Sequence, residues 1–177
     1  MKQYSFLHEA TISNLEFKVT DPKELDDSHR HDICQLTEFL NKDHLDYDKN
    51  LGLSRNKSIS FPDSKFNDIY IKEHPGQTFQ KFFLCESDNH IIGFIHYTER
   101  QSEYKGHSGW LTGVVVHPNF RKMGIGSKLL EFTKNWVKKN RPSIMIFLGV
   151  SCGNPGGIAL YNKFGFKPVH QSMVCKL

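Results

Sequence analysis

Arg121, Lys122, Gly124 and Gly126 stand in the order R-K-M-G-I-G, between an apolar run (Trp110 to Val116) and a stretch of helical spacing. That pattern suits anion binding. The first turn of a helix has N–H groups without partners, and the helix dipole places partial positive charge beside them. Glycines let an oxyanion approach backbone where a Cβ would block it. Arg121 and Lys122 add formal charge in the same place. Taken alone, the same residues would also serve a plain strand-to-helix turn. Further along, Asn154-Pro155 reads as an N-cap followed by proline at the first helical position. Tyr161 falls on the helix so begun, at a spacing with Ile158 and Phe164 that also fits a core tyrosine.

The elements that must position these residues are legible in outline. Trp110 to Val116 is β-branched and apolar, as a strand buried on both faces should be, and His117-Pro118-Asn119 ends it. Ile125, Leu129, Leu130, Thr133, Trp136 and Val137 make one helical stripe opposite Lys128, Glu131, Lys134, Lys138 and Lys139. Upstream, Leu15 to Val19 alternates as a first strand, and Asp27 or Ser28 can cap a helix carrying Ile33, Leu36, Phe39 and Leu40. Residues 41 to 60 are polar without a period and read as a loop. Pro62 is expected to open a second helix through Phe66, Ile69 and Tyr70, ending near His74-Pro75-Gly76. Phe82 to Glu86 and Ile91 to Tyr97 form a hairpin across a short Asp-Asn link, and Thr98 to Ser108 reads as a polar connection. Ile144 to Val150 is a further buried strand, and residues 165–169 and 171–177 read as two last strands. The predicted order is β-α-α-β-β-β-α-β-α-β-β.

With 177 residues, the chain suits one domain, 1–177. No repeat or linker divides it. A net charge of +4 favours an anionic ligand but, without a long basic run, does not call for nucleic acid. The four cysteines form no C-x-x-C pair, and three lie in apolar stretches, as buried thiols do. No secretory leader or 18-residue apolar run is visible, so no membrane association is expected and the cytoplasm is the expected compartment. Ten histidines show no ligand-spaced cluster, so no metal is expected.

Arg121-x-x-Gly124-x-Gly126 after a VVVHP strand resembles the acetyl-CoA motif of the GCN5-related N-acetyltransferases, Q/R-x-x-G-x-G/A. Downstream, Asn154 through Ala159, Tyr161, Gly165 and Phe166 are similar to that family's N-x-x-x-x-A-x-L-Y-x-x-x-G-F segment. The likeness is dense from about residue 80 onward. It implies an α/β (α+β) acyl-CoA N-acyltransferase fold: a mixed, mostly antiparallel sheet with helices on both faces. Residues of about 20–80 would shape the acceptor pocket, and those of about 109–166 would form the acetyl-CoA-binding core. The implied activity is transfer of acetyl from acetyl-CoA, as co-substrate, to the primary amine of a small molecule. The alternatives are a protein N-terminus or lysine, or a non-catalytic acyl-CoA sensor. Many relatives dimerise, which makes a second copy a candidate partner.

The family pattern also implies roles. Backbone N–H groups of Met123, Gly124, Gly126 and Ser127 would meet the pyrophosphate, with Arg121 and Lys122 beside them. Val114 and Val116, where the central strand splays from its neighbour, would pair with the pantetheine arm, and Val114 N–H would act as an oxyanion donor. Asn154 would touch the arm, and Tyr161 would be the acid that protonates the leaving thiolate. No carboxylate lies from Leu111 to Val116, where relatives often place a base. Glu99, Glu103 and His107 are the substitutes, each also readable as a surface residue, and ordered water is as good a relay. A dinucleotide fingerprint would need glycine where Leu129 stands and an acid after the strand ending at Val150, so that class is excluded.

Overall fold

The computed structural model describes residues 14–52, 61–72, 76–103, 105–142 and 144–173. Strands β1 (Glu16–Thr20), β2 (Gln77–Ser87), β3 (His90–Ser102), β4 (Gly106–Val116) and β5 (Met145–Leu148) form one sheet in sequence order. The first three pairings are antiparallel and β4–β5 is parallel, giving the expected mixed sheet. Helix α1 (Asp27–Asn50) covers one face, burying Ile33, Cys34 and Leu36 against Phe82, Leu84, Phe94 and Val115. Helix α2 (Ile125–Asn140) covers the other through Leu129, Leu130 and Val137, against Phe83, Ile95, Tyr97 and Leu111. Helix α3 (Pro155–Lys163) joins the α2 side through half-buried Leu160 and Tyr161.

Several expectations need correcting. Residues 41–50 are not loop: α1, capped by Asp26 Oδ1 on His29 N–H, runs on to Asn50. This segment lacks glycine, proline and β-branched residues, and polar partners rather than an apolar stripe hold its inner face. Residues 53–60 lie outside the described part. The second helix is a 3₁₀ turn, Asp63–Lys65, followed by a π turn, Asn67–Ile71; its expected end at 74–75 also lies outside.

The supposed polar connection 98–108 is mostly strand. β3 continues to Ser102 and β4 starts at Gly106: Thr98, Glu99 and Ser108 are all buried, Glu99 accepting from Tyr97 Oη–H and Ser108 Oγ from Trp110 Nε1–H. No strand is seen over 166–173, so the two expected last strands are absent among the described residues, and residues 174–177 fall outside. Cys34 and Cys85 are buried free thiols, pushed by desolvation to about 12 and about 11 respectively. Cys152 is exposed, and Cys175 lies outside the described residues.

Candidate active site

Two features of β4 set the geometry. It pairs with β3 along its whole length, but with β5 only from Ser108 to Leu111. Beyond Leu111 the two parallel strands part, leaving a notch on the β5 side of residues 112–116. At the same place Thr112 has no opposite residue on β3: His96 pairs with Gly113 and Tyr97 with Leu111. This bulge re-aims the strand, as bulges do. Leu111 therefore belongs to the α2 core, whereas Val115, four residues on, belongs to the α1 core. Val114 and Val116 are half-buried against the α2 side.

The glycine loop follows directly. After a 3₁₀ turn at Pro118–Phe120, Lys122 and Gly124 both take positive φ, 63° and 83°. A side chain at Gly124 would be strained in that conformation although it would meet open space, so the glycine serves the turn and the approach of a ligand. α2 then starts with no side-chain cap and no acidic residue in its first turn, whereas Asp26 caps α1 and Asn154 caps α3. Its first N–H groups are thus left to a ligand or to water. Gly126 packs at ordinary distance against Leu160 of α3, 3.5 Å from an added Cβ. The guanidinium of Arg121 is engaged: Nε donates to Val116 O at 3.0 Å and Nη2 meets Asp43 Oδ2 of α1 at 2.8 Å. Lys122 and Met123 are exposed and Ser127 is half-buried.

On α3, Asn154 Oδ1 accepts the Gly157 N–H at 2.8 Å. The cap therefore forms despite two glycines that lower helix propensity by about 1 kcal/mol each. Tyr161 packs edge-on to Phe166, ring centroids 5.9 Å apart. Burial, with Tyr47 of α1 adding to it, pushes the Tyr161 phenol up to about 12. The same α1 segment crosses the chain just before α3: a Cβ on Gly153 would lie 3.0 Å from Tyr47 O.

The three candidate bases are not brought to the notch. Glu99 is 2% exposed, not a surface residue. It accepts Tyr97 Oη–H at 3.0 Å and has His107 Nε2 and Arg141 Nε each at 2.9 Å. The Arg141 contact is an ion pair without hydrogen-bond alignment, since its Nε counts no hydrogen-bond partner. Glu99 pairs with Gly109, three residues before Thr112, or about 10 Å along a strand. Glu103 is exposed.

What the sequence reading missed is a chain of three polar groups on the α1 face, Gln80, His96 and Thr112. A histidine inside the apolar run IIGFIHY was the available signal. Among the described residues, no group of three or more His, Cys, Asp or Glu could hold a metal ion, and no helix is long and apolar enough to cross a membrane.

Residues 40–166 match the model of the acetyltransferase (GNAT) family. An N-alpha-acetyltransferase of Sulfurisphaera tokodaii is 27% identical over 107 residues, spanning 56% of this chain and 64% of that protein, just under two thirds of its length. A solved structure of a mutant BH1408 protein from Bacillus halodurans matches with a TM-score of 0.70 at 15% identity, covering 92% of this chain and 99% of that one. An aminoglycoside N-acetyltransferase in complex with CoA matches with a TM-score of 0.61 at 17% identity, covering 93% and 95%. At such identities the two structures speak for the fold alone.

Proposed function

The chain belongs to the acetyltransferase (GNAT) family, and on that premise we propose that it moves the acetyl group of acetyl-CoA onto a primary amine. The observation that carries this reading is the uncapped, glycine-started N-terminus of α2 lying directly after the stretch where β4 leaves β5. Acetyl-CoA would supply the thioester. Backbone N–H groups of Met123, Gly124, Gly126 and Ser127 would take its pyrophosphate, with Lys122 and, if released by Asp43, Arg121 adding charge. Main-chain groups of Val114 and Val116 would pair with the pantetheine arm, and Val114 N–H would polarise the carbonyl. Oδ1 of Asn154 is committed to its cap, so Nδ2 is the atom for the arm.

Tyr161 enters with a changed emphasis. A thiol has a reference pKa of about 8.5, so a phenol at about 12 gives up its proton only uphill. Oη therefore holds its proton at neutral pH and serves the departing sulfur as a hydrogen-bond donor.

We assign a small-molecule amine as the acceptor, working in the cytoplasm, where Cys34 and Cys85 stay reduced as thiols. A protein α-amino group is the second reading, favoured by the name of the Sulfurisphaera relative, whose sequence and not merely fold is shared. Calorimetric titration of acetyl-CoA, repeated with Gly124→Glu, tests the reading. Micromolar binding that weakens at least about 100-fold (about 2.7 kcal/mol) in the variant supports it. Thiol release with an aminoglycoside, or with a peptide bearing a free N-terminus, then separates the two acceptors. No binding by the wild type overturns the proposal, and binding without release leaves an acyl-CoA sensor.

A further inference from the structure

His96 sits near the middle of β3 and is 5% exposed, its ring stacked on Phe82 (centroids 4.7 Å apart) and met edge-on by Tyr70 (4.9 Å). An apolar side chain would fill that space without the desolvation cost of an imidazole. Both ring nitrogens are instead bonded. Nε2 lies 3.2 Å from Gln80 Oε1 on β2, and Nδ1 lies 2.7 Å from Thr112 Oγ1 on β4. A carbonyl oxygen only accepts, so Nε2 carries the proton and Nδ1 offers a lone pair to which Thr112 donates. Thr112 is the bulged residue and the first of β4 beyond the β5 pairing, and its side chain is exposed. The chain of bonds thus starts in the core and ends on a hydroxyl at the notch. The bulge is what lets one strand present both Thr112 and Val115 toward the α1 side.

We propose that Gln80, His96 and Thr112 form a proton relay that takes a proton from the acceptor ammonium. This rests on the acetyl-transfer reading above and fills the place that Glu99, Glu103 and His107 leave empty. Thr112 Oγ1 accepts a proton from the ammonium nitrogen while its own proton passes to His96 Nδ1. The imidazolium then donates from both nitrogens, Nε2–H to Gln80 Oε1 and Nδ1–H to Thr112 Oγ1. The ammonium loses two protons over the whole reaction: one ends on the CoA sulfur, and the other rests on His96 before returning to water through Thr112. Gln80 is a positioning residue that fixes the tautomer, and His96 acts through Thr112. Tyr70, whose Oη is bonded to Thr37 Oγ1 at 3.0 Å, faces the ring from a neighbouring element, with Cys34 of α1 behind it. Burial pushes both up to about 12, so neither changes charge in the working pH range.

The experiment uses the full chain, acetyl-CoA, and either the aminoglycoside or the free-N-terminus peptide that the wild type turns over. Thr112→Val and His96→Gln should each lower kcat about 100-fold, the low end of general acid–base contributions, with the Kd for acetyl-CoA within twofold of wild type. Thr112→Ser should bring the rate back toward wild type. The wild type should lose rate as pH falls and the imidazole protonates, and His96→Gln should lack that limb. Should His96→Gln fail to fold, Thr112→Val still decides, because its side chain is exposed. A Thr112→Val enzyme as fast as wild type, or an acid limb unchanged in a folded His96→Gln, overturns the relay alone. Wild type that binds no acetyl-CoA overturns the transfer reading and the relay with it. Binding without release from either amine removes the relay's ammonium and overturns it, while the binding site stands.

Discussion

At Ser108–Leu111, β4 is flanked by β3 and β5, and at Thr112–Val116 by β3 alone among the described residues. The two ends treat polar groups in opposite ways. At the closed end, Glu99 is buried with Tyr97, His107 and Arg141 around it, and Trp110 stacks on Phe147 across the β4–β5 pair at 5.1 Å, with Lys105 Nζ over both rings. At the open end, Thr112 is exposed and the first N–H groups of α2 lack a side-chain cap. One strand therefore gathers charged and aromatic groups around a buried carboxylate where it is covered, and leaves binding capacity where it is not. The lesson concerns charge: a carboxylate whose partners are all supplied by the fold has little left for a substrate.

Breaking the closed end should have the largest effect on stability. Glu99→Ala leaves Arg141 without its partner, and since Arg141 and His107 are partly exposed (36% and 51%), the cost should sit at the low end for a broken buried pair, about 3 kcal/mol. Urea unfolding should show a lower midpoint at unchanged slope, and the Kd for acetyl-CoA should stay within twofold. A weakened Kd would merge the two ends into one functional unit.

Next in size is the open end. Tyr161→Phe should lower kcat about 100-fold, about 2.7 kcal/mol, without moving that Kd. The protonated phenol is the working form, and with a value of about 12 it persists well past pH 10. Wild-type kcat should therefore hold at pH 10, where an unperturbed phenol would be half ionised. A fall centred on pH 10 that Tyr161→Phe removes would show the phenol to be solvated instead.

The smallest effect should come from the two glycines of α3. A Cβ at Gly156 meets only Asn154 Oδ1, at 3.8 Å, whereas one at Gly157 would lie 2.6 Å from Asn154 Nδ2. Gly156→Ala should stabilise by up to about 1 kcal/mol, and Gly157→Ala should cancel that gain by disturbing the cap. A thermal melt of the two variants side by side checks this and shows how firmly Asn154 is held.

Legibility followed the range of the forces involved. The glycine loop, the Asn154 cap and the α2 stripe were readable because each is a local demand: a positive φ, an N-cap acceptor, a 3.6-residue period. The second half of α1 was not, because what anchors it is Asp43 on Arg121, 78 residues away, and Tyr47 against the approach to α3. Glu99 looked like a surface acid because its partners Arg141 and His107 come from other elements, and nothing in TERQSEY announces them. The bulge at Thr112, on which the notch and the hydrogen bond to His96 both depend, leaves no mark in LTGVVV beyond an interrupted apolar run.

The distribution of sulfur has a practical side. Cys34 and Cys85 are sealed in the two cores, so among the described cysteines an alkylating dye at neutral pH has one place to go, Cys152. That residue lies two positions before the Asn154 cap and one before Gly153, beneath Tyr47. The chain thus comes with its own attachment point for a fluorophore, next to the meeting of α1 and the approach to α3. The same thiol will also colour any disulfide-based readout of CoA release, and that background has to be subtracted first.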